Sequence, residues 1–344
     1  MLLGKTMSGD GDFSSEDLTA LIKKRSQRVL RKFGLAAVSG VSDPQLLSIL
    51  HDVKAYWKDT FRPALTSFCC EAVGGKPEAA DIVGLMITVV GAGLGIHDDI
   101  IDKSLNKHFR MTILGLHGPD DALLVGDLLI IKSWATIGGM LRKTCQPKKI
   151  ANVIEAYESF FIELCEGEFM EISCRQNLDT ELEYYQKILW KSTADTEACA
   201  RLGAILGDGS ENEIQALAEF GRRLGFTFRL VDDVKDSLNI EGNLPHRLEH
   251  ESVPLPILYA AKSSREKFLK INSLLEKSPI TPLDVGEFLR CCFETEAFTY
   301  VHKIAKQNAR EASKKLSLLR PSTARNVLSL MNKKSLADIA NLCR

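Results

Sequence analysis

The stretch GIHDDIID, residues 95–102, and its near repeat RLVDDVKD, residues 229–236, decide the fold of this chain. In each stretch aspartates stand at positions i, i+1 and i+4, so a helical backbone places the first and last carboxylates on one face, a turn apart. Carboxylates this close repel each other, and more strongly where water is excluded. A divalent cation removes that repulsion, and Mg²⁺ prefers carboxylate oxygens while keeping positions open for water and phosphate. The repeat therefore predicts a helical enzyme that holds a diphosphate through magnesium.

The residues before each cluster are largely apolar, which argues against a solvated acidic surface. Residues 82–97, IVGLMITVVGAGLGIH, contain no Asp, Glu, Lys or Arg, and FTFRLV precedes the second cluster. Buried carboxylates need a partner, and this requirement favours a metal site. The uncharged run is shorter than the roughly 20 residues that a membrane span requires. It predicts a buried core helix and no transmembrane segment.

The composition is that of an ordinary globular protein. Of the 344 residues, 45% are hydrophobic and 26% are charged, which is enough apolar material for a sizeable core. The net charge of −1 supplies no field that attracts nucleic acid, so no nucleic-acid partner is expected. Nine cysteines lack C-x-x-C spacing, and the first residues hold too short an apolar run for a signal peptide. These features predict reduced thiols and a cytoplasmic protein.

Amphipathic helices follow one another along the chain. SDPQLLSILHDVKAYWKDTF, residues 42–61, has apolar residues at helical spacing behind an Asp-Pro start, and residues 213–238 lead into the second cluster in the same way. No alternating strand pattern of useful length occurs, and no linker divides the chain. We predict a disordered segment at residues 1–14, followed by a single all-α domain over residues 15–344.

Further short motifs surround the two aspartate clusters in a fixed order. They are Gly74-Gly75-Lys76, Ile96 to Asp102, Gly126-Asp127, Lys191-Ser192, Gly225 to Asp236 and Leu255-Pro256. In this order they resemble the GGK, first aspartate-rich, GD, Lys-Thr, second aspartate-rich and TLP motifs of the trans-isoprenyl diphosphate synthases, the polyprenyl synthetase family. The resemblance covers most of the chain from about residue 70 onward.

The resemblance implies a fold and a reaction. The fold is an isoprenoid synthase-type, all-α helical bundle around a central active-site cavity, assembled as a homodimer. The reaction joins an allylic prenyl diphosphate to isopentenyl diphosphate and needs Mg²⁺, with three ions in the family. The ions and cationic side chains neutralise the departing diphosphate, an allylic carbocation forms, and the double bond of isopentenyl diphosphate attacks it.

The resemblance also assigns roles to residues. The expected metal-binding residues are the aspartates of both clusters: Asp98, Asp99, Asp102, Asp232, Asp233 and Asp236. Among them Asp98, Asp102 and Asp232 are the direct ligands, and the other three hold metal-bound water or support the ligands. Lys191 reaches the departing diphosphate and completes the catalytic group. The remaining expected substrate-binding residues are Lys76, Lys107, His108, Arg110 and Arg229.

This chain departs from the family pattern mainly on the side that binds isopentenyl diphosphate. The departures are Ala79 for Arg, Gly91 for His or Gln, Lys107-His108 for Arg-Arg, Glu168 for Gln, Arg229 for Gln, and Asn243 and Ser252 for two lysines. We favour chain elongation, but two alternatives stay open. One is a terpene synthase, which ionises a prenyl diphosphate without isopentenyl diphosphate. The other is a non-catalytic partner subunit, against which the two complete aspartate clusters argue.

The helix before Asp98 predicts the length of the product. In the family the hydrocarbon tail grows beside this helix, and a bulky residue four or five positions before the first aspartate stops it. Those positions are Leu94 and Gly93, with Val90 a turn below, and no aromatic residue lies at positions 82–96. A tunnel open for one or two turns, at about 5.4 Å per turn, indicates a product of 20 carbons or more. Alternatively, the glycines only allow close helix packing.

Overall fold

The computed structural model describes residues 15–107, 109–144 and 146–343. Within these ranges the protein is built from α-helices, which confirms the all-α prediction. The helices are α1 (Ser15–Val38), α2 (Pro44–Tyr56), α3 (Phe61–Ala72), α4 (Asp81–Ile101), α5 (Ile113–His117), α6 (Pro119–Thr144), α7 (Pro147–Ile172), α8 (Leu182–Lys191), α9 (Ala194–Leu206), α10 (Glu211–Ser237), α11 (Leu244–His250), α12 (Leu255–Lys262), α13 (Arg265–Leu275), α14 (Pro282–Glu294), α15 (Ala297–Ser317) and α16 (Thr323–Leu342). A 3-10 turn, Pro77–Ala80, precedes α4, and the short strands β1 (Asn106–Lys107) and β2 (Arg110–Met111) form an antiparallel hairpin. The segment expected to be disordered, residues 1–14, lies outside the described residues.

Capping residues in the sequence set several helix starts. Asp43 accepts a hydrogen bond from the Leu46 amide at 2.8 Å and caps α2, as the Asp-Pro pattern predicts. The long helix α10 begins with a capping box, in which Ser210 and Glu213 satisfy each other's backbone amides. Because each helical residue turns by a fixed angle, this start also sets which face the second aspartate cluster occupies.

Helix α4 lies at the centre of the fold and is buried on two sides. One face, with Ile87 and Val90, belongs to a large apolar cluster shared with α3, α7, α9 and α10. The opposite face, with Val89 and Ile96, packs against α1, α2 and α6. Among the described residues, Pro77–Ile101 is the one helical segment long and apolar enough to cross a membrane, and 72% of its apolar window is buried inside the protein. This burial fits the predicted core helix.

Helix α10 connects two apolar clusters. Leu224 belongs to the cluster that surrounds α4, while Leu230 belongs to a second cluster built with α12, α14 and α15. A single rigid helix that contributes to both cores ties the two halves of the chain together. The single domain stays a prediction, and the last turns of α10, with Val231 and Val234, lie in the second cluster.

Candidate active site

The two aspartate clusters lie at the C-terminal ends of two core helices. The first cluster fills the last turn of α4, and its third member, Asp102, is the C-cap residue. The second cluster fills the last turns of α10, which ends at Ser237. The C-terminal end of a helix carries partial negative charge, so both backbones add to the repulsion among the carboxylates. The two helix ends therefore favour bound cations.

A lysine from the hairpin lies inside the first cluster. Lys107 Nζ is 2.8 Å from Asp98 Oδ2, 2.9 Å from Asp99 Oδ1 and 4.0 Å from Asp102 Oδ2. Although burial opposes it, the charges of Asp98 and Asp99 raise the pKa of Lys107 above its usual value. The ammonium therefore stays charged and neutralises part of the cluster. The structure thus brings one predicted substrate-binding residue into contact with the predicted metal ligands.

The pKa of Asp102 is strongly raised in spite of the cationic side chains beside it. Arg175 Nη2 is 3.4 Å from Asp102 Oδ1 and donates to the Ile101 carbonyl at 2.9 Å. Burial, followed by the charges of Asp98 and Glu251, raises the pKa of Asp102 to about 9. The local field is thus too negative for the neighbouring cations to balance, and a divalent ion would relieve it.

The middle carboxylate of the second cluster is a buried anchor. Asp233 is 1% exposed and accepts hydrogen bonds from Arg247 Nη2 at 2.7 Å and from the Tyr185 hydroxyl at 3.3 Å. The Leu255 amide donates a third hydrogen bond at 3.0 Å. Arg247 also pairs with Asp236. Both oxygens of Asp233 thus accept hydrogen bonds from the protein, and the indirect role that the resemblance implies for this residue stays a prediction.

Asp98 and Asp232 are the accessible members of the two clusters. Their side chains are 47% and 53% exposed. Lys235 Nζ stands 3.9 Å from Asp232 Oδ1, and Arg229, on the same helix, stands 3.8 Å from Glu171 Oε2. Accessible carboxylates at two negatively charged helix ends are the groups that an ion with a bound diphosphate can reach.

The short helix α11 joins the two clusters. His246 Nε2 lies 2.9 Å from the Asp102 carbonyl oxygen and 3.3 Å from Ser104 Oγ. The next residue, Arg247, holds the second cluster through Asp233. Because adjacent residues of one helix contact both clusters, α11 helps to set how far apart the ends of α4 and α10 lie. Sequence reasoning missed both residues, since they are distant in sequence from the first cluster and form no recognisable motif.

Glutamates extend the acidic site beyond the two clusters. Glu171 Oε1 accepts a hydrogen bond from Ser252 Oγ at 2.6 Å. Burial, followed by the charges of Glu171 and Asp98, raises the pKa of Glu168 to about 7. Burial also raises the pKa of Glu251. Glu168 and Ser252 were noticed in the sequence only as departures from the family pattern, and the structure places them beside the aspartates.

The donor chemistry of the site fits Mg²⁺ in an open arrangement. No group of three or more His, Cys, Asp or Glu side chains converges on one point in the part of the chain that the structure describes. Mg²⁺ does not require such a cage, because enzymes commonly bind it through one or two carboxylates together with substrate phosphates and water. Asp98 at the end of α4 and Asp232 at the end of α10 are exposed carboxylates of the kind that such an ion binds.

Lys191 forms ion pairs with two glutamates of helix α7. Its Nζ lies 2.6 Å from Glu166 Oε2 and 4.0 Å from Glu163 Oε1. Gly167 permits this close approach, since a Cβ there would lie 3.0 Å from the Cβ of Lys191. The predicted contact with a departing diphosphate requires Lys191 to exchange these partners, and it stays a prediction.

Two predicted residues of the hairpin have different outcomes. The Arg110 guanidinium lies 4.0 Å from the centre of the Tyr56 ring, in a cation–π contact near the first cluster. His108 lies outside the described residues. The substrate contacts predicted for both residues remain predictions.

The structure corrects the prediction for Lys76. This residue stands before the 3-10 turn at the N-terminal end of α4, whereas the aspartates stand at its C-terminal end. The 21 residues of α4 span about 30 Å, which a lysine side chain cannot bridge. The preceding glycines serve packing, since a Cβ on Gly75 would overlap the backbone of Gly207. Lys76 is therefore not a substrate-binding residue of this site.

The predicted chain-length residues lie on different faces of α4. Leu94 and Val90 pack in the large apolar cluster, where they can line a hydrocarbon space. Gly93 faces α6, because a Cβ at this position would lie 2.7 Å from the Gly126 carbonyl oxygen. The prediction that Gly93 borders the tunnel was wrong, and the alternative of close helix packing is correct at this position.

Comparison with known proteins identifies the family of the chain. The model of the polyprenyl synthetase family matches residues 51–290. A short chain isoprenyl diphosphate synthase of Methanothermobacter thermautotrophicus is 27% identical over 320 residues, covering 88% of this chain and 95% of the relative. A geranylgeranyl diphosphate synthase of Methanosarcina mazei is 26% identical over 269 residues, covering 78% of this chain and 82% of the relative.

Solved structures share the fold. A geranylgeranyl pyrophosphate synthetase from Pyrococcus horikoshii superposes with a TM-score of 0.82 at 24% identity, over 93% of this chain and 98% of that one. A polyprenyl synthase from Caulobacter crescentus, complexed with calcium and isoprenyl diphosphate, has a TM-score of 0.78 at 19% identity, over 96% and 98%. The helical fold with its paired aspartate clusters defines an isoprenoid synthase-type enzyme. The chain belongs to the polyprenyl synthetase family, and its activity is that of a trans-prenyltransferase.

Proposed function

We propose that the protein condenses an allylic prenyl diphosphate with isopentenyl diphosphate and releases a trans-polyprenyl diphosphate of 20 carbons or more. The observation that carries the proposal is the pair of accessible carboxylates, Asp98 at the end of α4 and Asp232 at the end of α10, two helix ends that both contact α11. The relatives support the product class, since they include geranylgeranyl, geranylfarnesyl and nonaprenyl diphosphate synthases.

The residues of the site have distinct tasks in this reaction. Asp98, Asp102 and Asp232 would hold magnesium, three ions by analogy with the family. Bound there, the metal supplies Lewis-acid neutralisation of the departing diphosphate. Lys107 and Arg175 limit the repulsion within the first cluster and keep its carboxylates oriented. Charge stabilisation by groups already in place is the main contribution that such a site makes to C–O cleavage.

Product length depends on the apolar space beside α4. Leu94 is partly buried and packs on the cluster that contains Val90 and Ile87, on one side of the helix. We expect the growing chain to follow this side, away from Gly93. Its boundary is then set by side chains of other helices as well, including Tyr157 and others on α7 that belong to the same cluster.

A homodimer is part of the proposal. Large apolar side chains are exposed along α6 and α7: Leu123, Leu124, Ile131, Trp134, Ile154, Ile162 and Phe169. Exposed apolar side chains concentrated on two adjacent helices indicate an interface. Light scattering of Ile162→Lys is expected to show half the mass of the wild type, whereas Leu318→Lys, exposed on a different part of the surface, leaves it unchanged.

The eight cysteines in the described residues are free thiols, and burial raises the pKa of several, including Cys69 and Cys292. Buried neutral thiols support the expected reducing compartment, the cytoplasm, which stays a proposal.

The function is tested by turnover with Mg²⁺, an allylic diphosphate and isopentenyl diphosphate. The expected product is longer than the starter, and chelation of the metal abolishes it. Asp98→Ala and Asp232→Ala are each expected to lower turnover by orders of magnitude, while the control Asp338→Ala on α16 keeps the wild-type rate. Near-normal turnover in either active-site variant would contradict the metal assignment.

A further inference from the structure

Positive charge is concentrated in the last two helices of the chain. Residues 297–344, which include α15 and α16, contain ten of the 44 Lys and Arg residues but only two of the 45 Asp and Glu residues. The rest of the chain carries the balancing negative charge, so the net charge of −1 conceals the separation. Charges separated in this way produce a local positive field on a protein that has almost no net charge.

Four of these cations form a line along α15. They are exposed residues spaced by three, four and four positions, so they share one side of the helix: Lys303, Lys306, Arg310 and Lys314. At 1.5 Å per residue, the line is about 16 Å long. We call these four residues the basic strip.

The opposite side of α15 packs against α10. Asn308 is 6% exposed and donates hydrogen bonds to the Arg223 carbonyl at 2.6 Å and to Thr227 Oγ1 at 3.0 Å. Asn308 stands five residues after Lys303, which is about 140° around the helix axis. The basic strip therefore points away from the body of the protein.

The basic strip is poor in counter-charges. In the part of the chain that the structure describes, no carboxylate forms an ion pair with Lys303, Lys306 or Arg310. Lys314 differs, since its Nζ lies 2.7 Å from Glu311 Oε1. Three neighbouring cations without carboxylate partners repel one another, and an anionic surface brought against them removes that repulsion.

An exposed leucine follows the basic strip. Leu318, the C-cap residue of α15, keeps helical backbone angles and is 69% exposed. It stands four residues after Lys314 and therefore lies one turn further along the same side. This combination suits the boundary of an anionic membrane, where cations meet lipid phosphates and an apolar side chain enters the acyl region. The backbone of a nucleic acid offers no such apolar layer.

We propose that the basic strip binds the surface of an anionic membrane, with α15 lying along it and Leu318 inserted at the boundary. The binding is peripheral and reversible, because a few cations and one leucine hold far less strongly than a membrane-spanning helix. It is separate from the reaction, since none of the four cations belongs to the active site. The proposed product, with 20 carbons or more, has an apolar tail that partitions into the same surface.

The experiment measures cosedimentation of the full chain with vesicles of phosphatidylserine and phosphatidylcholine, and with vesicles of phosphatidylcholine alone. The wild type is expected to bind only the anionic vesicles and to dissociate at high salt. Lys303→Gln/Lys306→Gln/Arg310→Gln is expected to bind on the order of a hundredfold more weakly, because each Lys or Arg near an anionic surface contributes about fivefold. Lys303→Arg/Lys306→Arg keeps the charge and is expected to bind as the wild type does.

The matched control removes three cations that already have partners. Lys267→Gln/Lys270→Gln/Arg290→Gln changes the net charge by the same amount, but these side chains pair with Glu294 or Glu287. It is expected to bind the anionic vesicles within about twofold of the wild type. Both triple variants are expected to keep the wild-type turnover with soluble substrates, which shows that their fold is intact.

The outcomes distinguish a membrane from other partners. Absence of wild-type binding to anionic vesicles, or equal binding to neutral ones, would overturn the inference. Equal vesicle binding by the two triple variants would also overturn it, because total charge would then matter and the basic strip would not. Leu318→Ser is expected to weaken vesicle binding several-fold. Stronger binding to a DNA duplex than to vesicles, unchanged in Leu318→Ser, would assign the strip to nucleic acid instead. Vesicle binding is measured without substrate, so its failure leaves the proposed function intact.

Discussion

Replacement of Arg247 by methionine tests how the second aspartate cluster is held. The guanidinium is one of the most buried charges of the protein, at 6% exposure, and it contacts Asp233, Asp236 and the Tyr185 hydroxyl. Methionine fills a similar volume but leaves Asp233, at 1% exposure, without its counter-charge. Breaking a buried ion pair by removal of one partner costs about 3–5 kcal/mol of unfolding free energy.

The loss depends on pH in a defined direction. Burial already raises the pKa of Asp233, and the charge of Arg247 is the main influence that lowers it. In Arg247→Met the pKa of Asp233 in the folded state rises further above its unfolded value. A raised carboxyl pKa contributes stability that is present below the unfolded pKa and is lost as the pH rises through the folded pKa. The variant is therefore closest to wild type near pH 4 and falls further behind it towards neutral pH.

Urea denaturation of the metal-free protein at pH 5 and pH 8 measures both effects. The double variant Arg247→Met/Asp233→Asn removes the unpaired charge and is expected to recover much of the loss. Arg290→Met is the control, because Arg290 pairs with Glu287 on an exposed face of α14 and its loss costs about 1 kcal/mol or less. A loss below about 1 kcal/mol in Arg247→Met, or no recovery in the double variant, would refute the buried ion pair as an anchor.

Three further results are expected. The pKa of Asp102 in the folded state is raised to about 9, so its contribution to the stability of the metal-free protein declines as the pH rises from about 4 towards 9. Thermal denaturation across this pH range measures the decline. A flat stability profile in this range would contradict the prediction. Leu94→Phe is expected to shorten the product seen by mass spectrometry, whereas the exposed Leu283→Phe leaves its length unchanged; equal products would refute the tunnel boundary. Gly93→Ala is expected to lower the free energy of unfolding by about 1–3 kcal/mol in denaturant titrations, since the added Cβ would press on the backbone of α6. Gly286→Ala, whose added Cβ meets open space, is the control. Equal stabilities of the two variants would show that α6 shifts without cost.

The sequence predicted the helices and the two clusters because both signals are local. Apolar periodicity identifies a helix within about four turns, and an i, i+1, i+4 pattern needs only one. The Asp43 cap and the buried run of α4 are read in the same way. That the aspartates stand at helix ends, where their charge and the helix dipole act together, became visible only in the structure.

The errors and omissions concern contacts between distant segments. Gly75 and Lys76 resemble a family motif, but three residues do not specify which end of α4 they approach. Trp57 contacts Gly91 and Gly95 across more than thirty positions, and an isolated tryptophan carries no signal for that contact. Such contacts are decided by how helices pack, which sequence periodicity does not encode.

The position of α11 has a consequence for protein engineering. If only α4 and α10 are moved into another helical scaffold, the carboxylates are transferred without the residues that contact both helix ends. His246 and Arg247 supply contacts to the two ends from one short segment. The smallest transferable unit is therefore three segments, and the third contains none of the aspartates that identify the other two.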